Sequence, residues 1–466
     1  MTVADIVPIL ALLAVITREL LWLCAVAITV SSLDDVVVDL LWLTRVAFRR
    51  APVSPPAPAA PGNFAILVPA WDEADVIGQM LSRLILTLDH PAYTVFVGVY
   101  PNDPATRAAV AQVADPRIMI VQTGSPGPTT KADCLNHLWQ AALAHETVVG
   151  ARLKAIVLHD AEDVVHPASL KLYDRHLPAL SMVQLPVLPL PDPASRWISG
   201  HYHDEFAENH AKDMMVRAVL GAPIPSAGVG TAIDRDVMER LAGAGGAPFD
   251  AASLTEDYEI GIRIHRMGLK SRMIRERIDG ELVATREYFP ATLEAAIRQK
   301  SRWLIGIALS GWDRLGWDGT LASRWMLLRD RKGLFAAFVV AMAYGAAALT
   351  AGQMAVRALV SETVGRPLPP LLGDETTLLP AFLLFNAALL LWRLAARIGF
   401  TGRHYGLAEA LRAAPRAVIA NAINILAAKR AIQQYRHTVL QGKPPRWDKT
   451  LHRFPASTAS AGGPDA

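Results

Sequence analysis

The chain of 466 residues is 52% hydrophobic and 19% charged, with a formal net charge of +3 and two cysteines. Its length allows two or three domains and its apolar content calls for a membrane class to be tested first. The near-neutral charge gives nucleic-acid binding no support, and two cysteines, Cys24 and Cys134, exclude a disulfide framework or a thiolate zinc site.

In chain order, residues 6–30 form an apolar run long enough to cross about 30 Å of hydrocarbon, with Arg18 and Glu19 near its middle. The run lacks a basic leader and a small-residue cleavage site, so it reads as an anchor. Residues 31–48 are expected to continue as an amphipathic helix along the interface, with a second crossing as the competing reading. The Pro/Ala-rich stretch 51–62 is expected to be a semi-rigid linker.

From residue 63 short β-type runs alternate with helical stretches. Strands are predicted over 64–69, 94–99, 117–121, 155–159 and 182–188, with helices near 74–88, 104–114, 131–145 and 167–176. This alternation predicts an α/β domain over 63–330 with a mostly parallel, helix-covered sheet, whose ligands gather at the carboxyl ends of the strands. An interfacial helix is expected near 290–312. Two further spans fall within 331–400, at 334–350 and from 378 onward, joined by a loop around 353–376. Residues 417–428 are apolar but short for a span, so they should lie at the interface or dock on the protein, and the tail 456–466 should be disordered. Arg45, Arg49 and Arg50, then Arg324, Arg329, Arg331 and Lys332, then Arg393, Arg397 and Arg403 orient three spans. They place the N-terminus outside and both the middle region and the C-terminal segment 401–466 in the cytoplasm.

Three motifs carry the chemistry. Asp160, Glu162 and Asp163 follow a predicted strand, and their mutual repulsion suits a hard cation such as Mg2+ or Mn2+, although an acidic turn capping the next helix would look the same. Asp257, after Thr255 as N-cap, begins a helical pattern. It is placed to act as a general base, or simply to complement the helix dipole. Gln299, Arg302 and Trp303 share one helix face, where Arg offers a fork for phosphate and Trp a platform for a sugar. Pro69 and Glu73 end the first strand, Asp103 the second, and Lys131 opens a helix where a pyrophosphate or ribose could sit. Gly228 and Gly230 form a turn that permits close approach to a ligand. His201, His203, Glu205 and His210 have the composition of a metal cluster, but helical spacing separates their side chains.

Taken in order, Pro69 to Glu73, Asp160 to Asp163, Thr255 to Asp257 and Gln299 to Trp303 resemble the motifs of the processive-type family-2 glycosyltransferases, over roughly residues 64–311. The flanks, Ser32 to Asp35, His203 to Glu208 and Gly442 to Thr450, look like the inner-membrane phage-adsorption protein B family. Longer members of that family carry a C-terminal cyclic-di-GMP-sensing domain, which the short stretch after Asp448 is not expected to hold.

The resemblance implies a GT-A (Rossmann-like nucleotide-diphospho-sugar transferase) domain at the bacterial inner membrane. It implies inverting transfer from a nucleoside-diphosphate sugar, UDP-hexose or UDP-N-acetylhexosamine, to a surface polysaccharide, with a glycan or lipid-linked acceptor. The metal would be Mg2+ or Mn2+ on Asp160 with Glu162 or Asp163, the choice between the last two being open. Asp257 would be the base. Glu73, Asp103, Pro69 and Lys131 would contact the nucleotide, Gln299, Arg302 and Trp303 the diphosphate and acceptor end, and Glu256, Gly228 and Gly230 the acceptor region. An outer-membrane export partner or a homo-oligomer would be needed for a long-chain channel. An inactive, transferase-like membrane scaffold or phage-receptor component is the competing class.

Overall fold

The computed structural model describes residues 3–47, 54–364, 378–441 and 452–455. The expected disorder of 456–466, the start of the linker at 51–53, the part of the expected loop at 365–376 and the flank motif at 442–450 lie outside the described residues.

Helix α1 (Val3–Trp42) opens the chain and ends in a π-helical turn, Leu43–Ala47. At 1.5 Å per residue it measures about 60 Å, twice the hydrocarbon thickness. The expected break near residue 31, followed by a surface helix, is absent. Asp34 and Asp39 are held instead against the rest of the protein: Asp34 accepts from Trp325 and pairs with Arg329 and Lys332 at 2.5 Å, and Asp39 pairs with Lys212 at 2.6 Å. Those partners, invisible in the local pattern, stabilise a continuous helix that carries charge toward its C-terminal end.

The catalytic-size domain follows as β1 (Asn63–Pro69), α2 (Ile77–Thr87), β2 (Tyr93–Val99), α3 (Pro104–Ala111), β3 (Ile118–Gln122), α4 (Lys131–Val149), β4 (Leu153–Leu158), α5 (Ser169–His176), β5 (Met182–Gln184) and β6 (Val187–Pro189). Next come α6 (Gly200–Glu208), α7 (Met214–Leu220), β7 (Thr231–Asp234), α8 (Arg235–Ala242), α9 (Glu256–Arg266), β8 (Ser271–Met273), β9 (Arg277–Ile278), β10 (Glu281–Leu282), β11 (Thr285–Glu287) and α10 (Leu293–Leu304). One sheet runs β3-β2-β1-β4-β7-β5-β8, parallel except for β7, which is antiparallel to both neighbours. The expected mostly parallel sheet is present.

Alternation along β1 sorts the core. Phe64, Ile66 and Val68 pack with α2 on one face, while Ala65 and Leu67 pack with α4, α8 and α9 on the other. Both sets are fully buried, as a central parallel strand requires. The single strand expected over 182–188 is two strands. Pro186, which has no N–H for a ladder, separates β5 from β6, and β6 pairs with β11 in a separate small sheet.

Beyond α10 the chain forms α11 (Ser310–Leu315), α12 (Leu321–Arg331), α13 (Gly333–Val364) and α14 (Leu378–Gln441). Among the described residues, three helices are long and apolar enough to cross a membrane: the α1 region, α13 and α14. Helix α13 continues through Val364, so the first part of the expected loop at 353–376 is helical. Helix α14 is interrupted at Gly406 (φ 79°, ψ 176°), and its second half returns to the domain. There Arg416 pairs with Asp204 at 2.7 Å, and the Ser301 hydroxyl donates to the Ala427 carbonyl at 3.1 Å. Residues 417–428 are thus docked on α6 and α10.

Candidate active site

A cavity of about 340 Å3 opens at the carboxyl ends of β1 and β4, where the loop rule for open α/β sheets puts ligands. Its lining brings together Pro69, Glu73, Lys131, Asp160, Glu162, Glu256, Asp257, Gln299, Arg302 and Trp303, residues drawn from more than 230 positions of sequence.

The acid loop after β4 is built in two tiers. Asp163 is buried behind the pocket, with Oδ2 2.6 Å from His159 Nδ1 and accepting from the Asp160 N–H at 3.1 Å. It braces the loop, and the structure does not bring it to the cavity as the expected metal ligand. Asp160 and Glu162 face the cavity. Asp160 Oδ1 lies 2.5 Å from Lys131 Nζ, the first residue of α4, whose N-cap Thr130 accepts from Asp133 N. A cation and a helix N-terminus therefore meet at the place expected for a diphosphate.

Asp257 sits in the first turn of α9, where Ile260 and Ile264 anchor one face in the core. Thr255 is its N-cap by position but makes no capping hydrogen bond, which the sequence pattern had suggested. Asp257 Oδ1 accepts from Tyr258 N at 2.7 Å. A Cβ on Gly228 would lie 2.5 Å from Asp257 Oδ2, and Gly228 has a φ of +78°, so only glycine lets this turn approach the carboxylate. Gly230 faces Thr285 and accepts from Leu185 N, so it shapes the turn without lining the cavity.

Asp103, expected to contact the nucleotide, is not among the cavity-lining residues. It caps α3 by accepting from Thr106 N, and its other oxygen accepts from Asp72 N at 2.6 Å. Asp72 has a φ of +55°, so Asp103 holds the strained loop that delivers Glu73. Glu73 N donates to Thr106 Oγ1 in the same arrangement.

On α10, Gln299, Arg302 and Trp303 all reach the cavity. Trp303 stands edge-on to Tyr202, with Phe206 and Phe289 beside it, forming an aromatic end opposite the acids. The histidines considered for a metal cluster are structural. His203 stacks on Tyr405, His210 accepts from Val187 N at 3.0 Å, Glu205 pairs with Lys300, and burial pushes the His201 and His210 imidazoles down to about 3.

Glu287 and His452 are among the lining residues that were not found from sequence. Glu287 ends β11, and His452 arrives from the C-terminal segment, 379 positions from Glu73, with Nδ1 2.8 Å from Glu73 Oε1 and 3.2 Å from Glu162 Oε2. Nothing in a three-residue strand or in a short stretch after the last helix marks either one.

The acids Glu73, Asp160, Glu162, Glu256, Asp257, Glu287 and Asp330 outnumber the bases Lys131, His210, Arg302 and His452 on the cavity wall. Burial first, then the neighbouring acids, push the Glu162 carboxyl up to about 8 despite His452, and burial with Asp257 pushes Glu256 up to about 7. Burial also raises Asp257, against the pull of Lys131, and holds Glu287 well above its ordinary value. Glu162 Oε2 is buried and accepts no hydrogen bond among the described residues. A divalent cation fits this set, since it would neutralise the excess acid and occupy the orphaned oxygen.

Comparison with known proteins agrees with this geometry. Residues 61–306 match the family model "Glycosyltransferase like family 2". The chain is 36% identical over 468 aligned residues to the bacteriophage adsorption protein B of Escherichia coli K12 and to the bacteriophage N4 adsorption protein B of E. coli O157:H7. The match covers 93% of this chain and 62% of each relative, so the chain spans under two thirds of their length. Among solved structures, a mannosyltransferase from Pyrobaculum calidifontis in complex with GDP-Man and Mn2+ superposes with a TM-score of 0.55 at 18% identity. It covers 88% of this chain and 99% of its own, a likeness that establishes the shared GT-A fold. With the family model spanning more than half of its length, this chain belongs to the glycosyltransferase-like family 2.

Proposed function

We propose that the chain transfers a sugar from a nucleoside diphosphate, UDP-hexose or UDP-N-acetylhexosamine, to a growing surface glycan or lipid-linked acceptor, with inversion, at the bacterial inner membrane. The observation that carries this reading is the meeting of Asp160, Lys131, Asp257 and Arg302 in one cavity at the strand ends. Lys131 and the N-terminus of α4 bind the diphosphate, and Arg302 holds its outer phosphate. Asp160 and Glu162 would hold Mg2+ or Mn2+, which when bound neutralises charge on the departing diphosphate.

Asp257 accepts the proton of the acceptor hydroxyl as that oxygen attacks the anomeric carbon. Its raised affinity for protons makes it a better base than an exposed aspartate. Trp303 and its aromatic neighbours offer a face on which an acceptor sugar stacks. The three candidate spans and the name of the E. coli relatives support a role in envelope polysaccharide and phage adsorption.

The test is product stereochemistry. With a panel of α-linked UDP-sugars and Mn2+, the purified chain should yield a β-linked product by NMR, and EDTA should abolish transfer. An α-linked product, or full activity in EDTA, would refute the mechanism. No transfer from any donor, with phage sensitivity retained in cells, would favour a scaffold.

A further inference from the structure

Four arginines gather beside the interruption in α14, and none of them lines the cavity. Arg275 follows β8, Arg277 opens β9, Arg286 lies in β11, and Arg403 precedes the interruption at Gly406. Alternation along β11 accounts for Arg286: Glu287 lines the cavity, so its neighbour is turned to the opposite face. Arg275 Nη2 stands 3.2 Å from His404 Nε2, and all four guanidiniums lie close enough to act electrostatically on that ring.

Such a cluster is costly without an anion, because like charges repel and burial removes the water that screens them. Among the described residues no carboxylate pairs with any of the four. The acids nearest in sequence turn elsewhere: Glu276 Oε1 lies 2.7 Å from His176, and Glu281 faces His166 at 3.9 Å. Arg275 donates to the His210 carbonyl at 3.4 Å and Arg277 to the Gly280 carbonyl at 2.6 Å, partners that carry no full charge. Burial, then Arg277 and Arg403, pull the Arg275 guanidinium down to about 10, as uncompensated positive charge should.

The depth of the cluster identifies the missing anion. About twenty residues of α14 from Leu378 cross about 30 Å of hydrocarbon, so Arg403 stands about 9 Å further on, in the headgroup layer. Its guanidinium lies over the Trp42 ring at 5.8 Å and the Phe400 ring at 5.6 Å, and aromatic rings concentrate at that depth. Arg277 and Arg403 are exposed, and Arg275 and Arg286 half-buried, so a phosphate can enter from the membrane surface and reach the inner pair.

We propose that Arg275, Arg277, Arg286 and Arg403 bind the phosphate of an anionic phospholipid headgroup where α1 and α14 meet the domain. Guanidinium forks each offer two parallel donors to phosphate oxygens, and the headgroup's net charge offsets the repulsion among them. The lipid ties the β8–β9 connection, β11 and the interruption of α14 together at the membrane surface. The site is separate from the sugar-transfer cavity, so it stands or falls independently of the transferase reading.

The full chain, in an uncharged maltoside detergent, is titrated with dioctanoyl phosphatidylglycerol, dioctanoyl phosphatidylcholine or inorganic phosphate. Bound lipid is read by native mass spectrometry and thermal stability is measured on the same samples. Phosphatidylglycerol should be retained and raise the melting temperature, phosphatidylcholine should do neither, and inorganic phosphate at the same concentration should give a clearly smaller shift. Arg275→Gln and Arg277→Gln should each weaken phosphatidylglycerol binding about fivefold. Arg240→Gln, which removes an exposed arginine from α8, should leave it unchanged. Because Arg277→Gln relieves repulsion, its lipid-free melting temperature should match or exceed that of the wild type while the increment from lipid shrinks, an outcome that a purely structural arginine would not give. Equal retention of phosphatidylcholine, an equal shift with inorganic phosphate, wild-type affinity in Arg275→Gln and Arg277→Gln, or an equal loss in Arg240→Gln would overturn the proposal.

Discussion

Gly228 and Asp257 show how closely the site is set at the scale of single residues. A methyl at Gly228 would meet Asp257 Oδ2 at 2.5 Å and would also have to adopt a φ of +78°. Gly228→Ala should cost about 1–2 kcal/mol in stability from the backbone alone and displace the carboxylate, lowering transfer about 100-fold. Gly150 is the control, because it has a φ of +68° and nothing within 4 Å of its would-be Cβ. Gly150→Ala should show a similar loss in thermal stability with unchanged turnover per folded molecule, and equal activity losses in both variants would contradict the close-approach argument.

The acid pocket also predicts how stability depends on pH. Glu162 and Glu256 hold their protons up to about 8 and about 7 in the metal-free fold, whereas an unfolded chain releases them near about 4.3. Between those values the folded state binds more protons, so stability present at low pH is lost as pH rises through the window. The melting temperature without metal should fall from about pH 5 to about pH 8, and added Mn2+ should raise it more at the upper end. A metal-free melting temperature that rises over this range would contradict the buried-acid assignment. Among single residues, the acids and the Gln-Arg-Trp face were legible because their types and spacing imply chemistry. Asp103 and Asp163 do not line the cavity, and their bracing roles were not legible, because a carboxylate that caps a helix or braces a loop looks the same in sequence as one that binds a ligand.

Elements of regular length were readable. Strands β1 and β2 are long apolar runs that pair in parallel, and periodicity located them to within a residue. Strand β7, Thr-Ala-Ile-Asp, is too short to show a period, and it is recognised only by lying between β4 and β5. The start of α3 offers a test of how an element positions the site, because its cap is also the brace of the Glu73 loop. Asp103→Ala should cost about 1 kcal/mol or more, as lost caps do, and loosen Glu73. Transfer should fall with it, whereas Asp103→Asn, whose amide has one acceptor oxygen, keeps at most one of the two hydrogen bonds and should lose less of each. Stability and transfer unaffected by Asp103→Ala would show that the two hydrogen bonds contribute nothing.

At the scale of the whole molecule, the spans were legible from hydropathy, and their junctions with the domain were not. The basic residues used to orient the chain have structural partners as well: Arg329 and Lys332 hold Asp34, and Arg397 pairs with Glu208 at 3.2 Å. These pairs join α1 and α14 to α12 and α6, long-range contacts that no sequence window contains. We place residues 365–377 outside the cytoplasm and the domain inside. Both native cysteines are buried, so a cysteine introduced between residues 365 and 377 should be labelled from outside intact spheroplasts, and one at exposed Ala252 only after lysis. The reverse pattern would invert the topology.

The central claim is that this cavity performs sugar transfer with Asp257 as its base. The most direct measurement compares Asp257→Asn with wild type under saturating Mn2+ and radiolabelled UDP-sugar, with Mn2+ affinity measured on the same samples. The account predicts a fall in transfer of about 100-fold or more with Mn2+ binding intact. Equal transfer by the two proteins would contradict it.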